Sequence, residues 1–172
     1  MEELIRRAQA YDGSAFVELM ERHKQSMFKI AFAYLKREED AMDAVSETVL
    51  DCFEHLGSLK EAKYFSTWLV RILINNCKDM LRQSRKIVSM EAVGDFDLPE
   101  MAKENREFLE YLEPLSQEER LLMVLYYVWG FRTKEIAQIM NQKQSTVKSK
   151  LLRGREKIKQ VFFPELLAGG NI

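Results

Sequence analysis

The 172-residue chain is 47% hydrophobic and 31% charged, which suits one ordinary domain or two small ones and excludes a disordered or membrane-embedded protein. No apolar run approaches the roughly 20 residues that span a bilayer, and the N-terminal stretch from Met1 to Arg7 lacks the apolar core of a secretory signal. Only Cys52 and Cys77 are present, so no disulfide framework is expected and the predicted setting is a reducing cytoplasm, with no direct membrane insertion.

The net charge of −1 conceals a blockwise pattern. Residues 1–65 carry 9 Lys and Arg against 13 Asp and Glu, residues 66–90 carry 5 against 1, residues 91–119 carry 2 against 10, and residues 120–172 carry 10 against 3. Two basic blocks separated by acidic ones predict two separate places for phosphate. With 7 Gly and 3 Pro, long 3.6-residue apolar periods and no convincing alternation, the fold class is all-α without internal repeats. Two small helical domains are expected, residues 1–85 and 102–172, joined by a flexible linker over residues 86–101. That linker holds Gly94, Asp95, Asp97 and Pro99 and has no stable period.

In the N-terminal domain, Met27, Phe28, Phe32 and Tyr34 are expected in the helical core. A helix over Glu39–Leu56 would bury Ala41, Val45, Thr48, Val49, Cys52 and Leu56. Its other face presents Asp40, Asp43, Glu47, Asp51 and Glu54 around Leu50. Such a face repels DNA; an apolar side chain ringed by carboxylates suits a basic protein partner, though an ordinary acidic helix surface has the same pattern. The next helix, Phe65–Arg82, buries Leu69, Leu73, Asn76, Cys77 and Met80. On its far side Arg71, Asn75, Lys78 and Arg82 form a stripe without an interleaved acid, suited to phosphates and one base-reading amide. Cys77 reads as a small core residue rather than a reactive thiol.

The C-terminal domain is the clearest signal. Ser116 with Glu119 makes a capping box for a helix running through Leu121, Leu122, Leu125 and Val128 until Gly130. A second helix starts near Thr133. Asn141 stands where a tight turn needs a left-handed residue. A third helix, from about Ser145 to Val161, turns Val147, Leu151, Gly154 and Ile158 inward. Ser145, Thr146, Ser149 and Arg153 lie on its outer face, with Lys148 and Arg155 on one edge and Lys150 and Lys157 on the other. A short helix, a tight turn and a basic helix spell a helix-turn-helix whose hydroxyls and Arg reach base edges while flanking cations meet phosphates.

In order and spacing, the stretch from Glu39 to Glu47, the stretch from Phe65 to Ile72 with Asn75 and Asp79, and the stretch from Ser145 to Leu151 with Arg153 and Arg155 resemble the three signature segments of the extracytoplasmic-function sigma factors. The resemblance spans nearly the whole chain. It implies a subunit that binds core RNA polymerase and directs promoter-specific initiation, under the control of an anti-sigma factor. The helix bearing Asp40, Asp43, Glu47, Leu50 and Glu54 would dock on the clamp helices of β′, and the C-terminal domain would lie near the β flap. Tyr64, Arg71, Asn75, Lys78 and Arg82, with the loop from Gly57 to Tyr64, would hold the melted minus-ten element, Asn75 reading a base and Tyr64 stacking on one. Ser145, Thr146, Lys148, Ser149, Lys150, Arg153 and Arg155 would bind the minus-thirty-five duplex. The chain departs from the family at Asn141, where glycine is usual, at Gln142, where an apolar residue is usual, and at Ser46, which replaces a frequent Gln.

Two other readings remain open on the residues alone. A free-standing helix-turn-helix regulator would explain the C-terminal domain and would bind a palindromic duplex as a dimer. An enzyme would have to work with His23, His55 and acid clusters such as Glu38-Glu39-Asp40, without any metal, nucleotide or cofactor motif; neither catalysis nor a cofactor is expected.

Overall fold

Residues 1–86 and 108–165 are described by a computed structural model, and every regular element among them is a helix. The chain divides into two compact units with the boundary between residues 92 and 93. The linker expected at 86–101 lies outside the described residues, apart from Lys86, where the last helix of the first unit ends.

The first unit contains α1 (Glu2–Gln9), α2 (Gly13–Leu35), α3 (Glu38–His55) and α4 (Phe65–Lys86). Asp12 starts α2 because its carboxylate accepts the Ala15 N–H at 3.0 Å, an N-cap that satisfies an otherwise orphaned donor. Hydrogen bonds from Ser14, Ala15 and Arg7 hold the Asp12 carboxyl well below its ordinary pKa. Lys36 ends α2 in the left-handed region, φ 60°, with its N–H on the Phe32 carbonyl at 2.9 Å. Glu38, Glu39 and Asp40 fill the first turn of α3, where carboxylates favour the positive end of the helix dipole.

The helices pack in the order α1 on α2, α2 on α3 and α4, and α3 on α4. Ala15, Ala31, Ala41 and Ala44 are fully enclosed, so backbones approach closely there, while Leu19, Met27, Ile30, Phe65, Leu69 and Leu73 fill the space between them. Each such large side chain contributes roughly 1.5–3 kcal/mol through burial. Phe28 is buried as expected, whereas Phe32 and Tyr34 are only half-buried. Thr48 and Asn76 form a polar seam inside this interface. Thr48 donates to the Ala44 carbonyl at 2.7 Å, and Asn76 Nδ2 donates to Thr48 Oγ1 at 3.1 Å and to Asp51 Oδ2 at 2.8 Å. Burial pushes the thiols of Cys52 and Cys77 up to about 12, which leaves both as inert core groups.

In the second unit, residues 108–111 are helical, followed by α5 (Gln117–Tyr127), α6 (Thr133–Met140) and α7 (Gln144–Phe162). The capping box is present: Ser116 Oγ accepts from the Glu119 N–H at 3.3 Å and Glu119 Oε2 accepts from the Ser116 N–H at 2.9 Å. All of Leu121–Leu125 is buried, and α7 packs on both α5 and α6. Gly130 takes φ 70°, and Phe131 reaches back to the Leu125 carbonyl at 3.1 Å, ending that helix. A Cβ on Gly154 would lie 2.9 Å from Met123 Cε, the end of a flexible side chain that would have to shift.

Candidate nucleic-acid interface

The turn between α6 and α7 sets the first face. Asn141 adopts φ 51° and ψ 51°, the left-handed conformation expected of the bend residue. The Gln142 N–H then bonds the Ala137 carbonyl at 2.9 Å, and Gln144 Nε2 donates to Thr133 Oγ1 at 2.8 Å, joining the starts of the two helices. Val147, Leu151 and Gly154 of α7 are buried and Ile158 is half-buried. Ser145, Lys148, Ser149, Arg153 and Arg155 are exposed, and Thr146 is half-buried among them. Ser149 Oγ donates back to the Ser145 carbonyl at 3.0 Å, and Arg155 lies within 3.5 Å of the Tyr127 hydroxyl. Among the described residues no ion pair engages Lys148, Arg153 or Arg155.

Lys150, expected among the duplex-binding residues, makes its contacts within its own domain. Its ammonium sits 2.6 Å from Glu118 and 3.3 Å from Gln142 Oε1, with the side chain only 20% exposed. Gln142 Nε2 donates in turn to Glu118. Gln142 therefore belongs to a Glu118–Gln142–Lys150 cluster joining α5, the turn and α7. Hydrogen bonding from Lys150 holds the Glu118 carboxyl below its ordinary pKa. Lys157, expected on the cationic edge, likewise turns to Glu119, 2.9 and 2.8 Å from its two oxygens. Burial alone would raise the Glu119 pKa, but the bonds from Lys157 and Ser116 outweigh it and hold it low.

A second cationic face lies on α4. Arg71, Asn75, Lys78 and Arg82 are all exposed, in one line along the helix. Asp79, also exposed, pairs with Arg82, so the stripe does contain an acid and its cationic end is partly neutralised. Arg71 and Lys78 carry no ion pair among the described residues. Tyr64 is exposed at the end of a 3-10 turn (Ala62–Tyr64) and lies beneath the Lys63 ammonium, 4.8 Å from its ring centre. Trp68 is half-buried and leans on Phe65, whose own ring meets His23 edge-on in the core.

The third face belongs to α3. Asp43, Glu47 and Glu54 are exposed around Leu50, which is 60% exposed. Asp40 is half-buried and 3.5 Å from Arg37. Asp51, expected on this face, turns toward α4 instead because Asn76 offers it a hydrogen bond. The face is also more apolar than expected. Phe53 is 64% exposed, set edge-on to Phe16 at 5.3 Å, and Val17 of α2 is exposed beside the shallow groove that Leu50 lines. The apolar pattern offered no warning for Phe53, since an aromatic on an acidic face breaks the period without naming its neighbour.

Gln9, at the end of α1, was not singled out by any motif. Its amide donates to the carbonyls of Leu56 at 3.1 Å and Leu59 at 2.7 Å, at the head of the loop that ends in Tyr64. Among the described residues no cluster of His, Cys, Asp or Glu could hold a metal ion, and no helix is long and apolar enough to cross a membrane.

The described residues thus present two exposed cationic helices, one of them in a helix-turn-helix, and an acidic face with exposed apolar side chains. In sequence profiles, residues 19–87 match Sigma-70 region 2 and residues 105–158 match Sigma-70, region 4, together more than two thirds of the chain. The chain belongs to the RNA polymerase sigma factors, within the extracytoplasmic-function group. It is 27% identical over 135 residues to RNA polymerase sigma factor SigV of Bacillus subtilis, covering 76% of this chain and 81% of that relative. It is 28% identical over 179 residues to ECF RNA polymerase sigma-E factor of Haemophilus influenzae, covering 94% of each. The fold is also similar to a solved structure of CnrH in complex with the cytosolic domain of CnrY, with TM-score 0.68, 22% identity and coverage of 93% and 95%. A second is the sigma factor RpoE in complex with the anti-sigma factor NepR from Bartonella quintana, with TM-score 0.63, 20% identity and coverage of 83% and 95%.

Proposed function

We infer that the three faces divide the work of a sigma factor among them. Residues 1–85 act as region 2: Asp43, Glu47, Leu50 and Glu54, with Asp40 beside them, dock on the β′ clamp helices, while Tyr64, Arg71, Asn75 and Lys78 hold the single-stranded minus-ten element and Arg82 adds a weaker contact. Residues 102–172 act as region 4, where Ser145, Thr146, Lys148, Ser149, Arg153 and Arg155 meet the minus-thirty-five duplex, and residues 86–101 link the two. Lys150 is left out of the DNA set because Glu118 holds it.

The observation that carries this reading is the exposed line of Arg71, Asn75 and Lys78 on α4, with no ion pair on its cations among the described residues. A stand-alone regulator has no use for a second nucleic-acid face outside its helix-turn-helix. Cationic side chains suit the phosphates and Asn75 suits a base edge. Tyr64 supplies an aromatic surface for an unstacked base. In the C-terminal unit, an apolar groove lined by Tyr111, Met123, Tyr127, Ile158 and Phe163 supports docking of the β flap. Control by an anti-sigma factor, as in the RpoE complex with NepR, is supported by the exposed Leu50, Phe53 and Val17. The chain acts in the cytoplasm as a non-catalytic subunit, the chemistry of RNA synthesis belonging to the core enzyme.

Mixing the purified chain with core polymerase tests this reading. A stoichiometric holoenzyme that retains a fragment carrying the chain's own upstream region is expected. Failure to bind core, with tight duplex binding by the chain alone as a dimer, would contradict it.

A further inference from the structure

Between α3 and α4 the chain must turn and present Tyr64 without a regular helix to hold it. Two single 3-10 turns, Leu56–Ser58 and Ala62–Tyr64, are joined by Leu59–Glu61. Backbone carbonyls in such a segment have no helical partners, so something else must fix the path if a nucleotide is to find a formed pocket. Ser58 Oγ bonds the His55 carbonyl at 2.7 Å, and the Leu59 N–H bonds the Leu56 carbonyl at 3.2 Å; both are local bonds within the loop's own turn.

Gln9 reaches into this loop from far along the chain with two side-chain hydrogen bonds. Both amide hydrogens are used, one on Leu56 and one on Leu59, and the group is part-buried. α1 itself is anchored by Leu4, Ile5 and Ala8, all buried, and it packs against both 3-10 turns. An amide is suited to this position because it offers two donors to two acceptors, whereas an isosteric carboxylate would offer none.

We propose that Gln9 is a positioning residue for the minus-ten pocket, clamping the loop from Leu56 to Tyr64 in the conformation that receives an unstacked base. The inference rests on the assignment of that loop to the melted strand. Gln9 touches no DNA. It acts by removing the freedom of the loop before binding, so that less order has to be imposed when the strand enters.

The test uses the full chain as holoenzyme on its own upstream fragment, comparing wild type with Gln9→Ala and Gln9→Glu. Core binding, duplex retention and permanganate reactivity of thymines in the melted region are each measured. The expected result is unchanged core affinity and a fall of only a few degrees in Tm, with strand opening reduced about fivefold to tenfold for Gln9→Ala, as loss of two modest hydrogen bonds would give. Gln9→Glu should be worse still, because its carboxylate faces two carbonyls at nearly unchanged volume. Opening by Gln9→Glu equal to wild type would overturn the clamp, since a space-filling role predicts that equality. Parallel losses of stability, core binding and opening would also overturn it, by reducing Gln9 to a general fold contact. Wild type that binds core yet opens no promoter would instead defeat the assignment of the loop, and the clamp with it.

Discussion

Lys148 and Lys150 are two residues apart on α7, and their surroundings differ. Lys148 is exposed and unpaired among the described residues, while Lys150 is 20% exposed and bound to Glu118 and Gln142. Replacing Lys150 with Met keeps the aliphatic stem and removes the charge. Glu118 is 39% exposed, so solvent screens much of the pair, and the loss should be about 1 kcal/mol, between a surface ion pair and a charged hydrogen bond. For a unit of this size that corresponds to a fall of roughly 4–8 °C in Tm. Each phosphate contact contributes about 0.9 to the slope of log affinity against log salt. Lys148→Ala should therefore lower that slope by about 0.9 with Tm unchanged, and Lys150→Met should lower Tm with the slope unchanged. Duplex binding by holoenzyme between about 50 and 200 mM salt, with melting followed by circular dichroism, separates the two. A Lys150→Met variant with wild-type Tm and a slope reduced as far as that of Lys148→Ala would refute the reasoning.

Three further outcomes follow from the same contacts. Asn76→Asp removes the bond to Asp51 and places a second carboxylate against it, so denaturant unfolding at neutral pH should show a loss of about 3 kcal/mol that shrinks on acidification. Leu50→Glu should weaken core binding at least about tenfold in a titration of labelled protein, with Tm unaltered because the side chain is already 60% exposed. Acid should weaken the C-terminal unit. Glu118 and Glu119 both have depressed pKa values, so their contribution is full above the ordinary carboxylate value of about 4.3 and is lost as pH falls through the depressed values. Melting curves below about pH 4 should drop less steeply for Lys157→Met, which lacks the main hydrogen bond holding Glu119 low.

Local rules made much of this molecule legible. Ser116 with Glu119 marked the start of α5, Asn141 the bend, and the 3.6-residue period the buried sides of α4 and α7, because each depends on residues within a turn or two. The contacts that patterning did not foresee involve distant partners. Lys150 and Lys157 looked like free cations on a wheel, which cannot show that Glu118 and Glu119 of α5 lie across from them. Asp51 belonged to an acidic face by phase alone, yet Asn76 on the next helix draws it inward. Gln9 reaches across 47 and 50 positions to the loop carbonyls, and main-chain acceptors leave no trace in side-chain patterning. The polar Gln142 was the one available hint, since an amide beside a helix bend needs partners nearby.

In the proposed function α4 and α7 are both DNA-reading helices of one initiation factor. Run-off transcription with core polymerase on a fragment carrying the chain's own upstream region tests it most directly, using wild type, Asn75→Ala and Arg153→Ala. A transcript of defined start that requires the wild-type chain is expected. Asn75→Ala should form a closed complex that fails to open, and Arg153→Ala should bind the duplex poorly. Full transcription by both variants, or none by wild type that binds core normally, would contradict it.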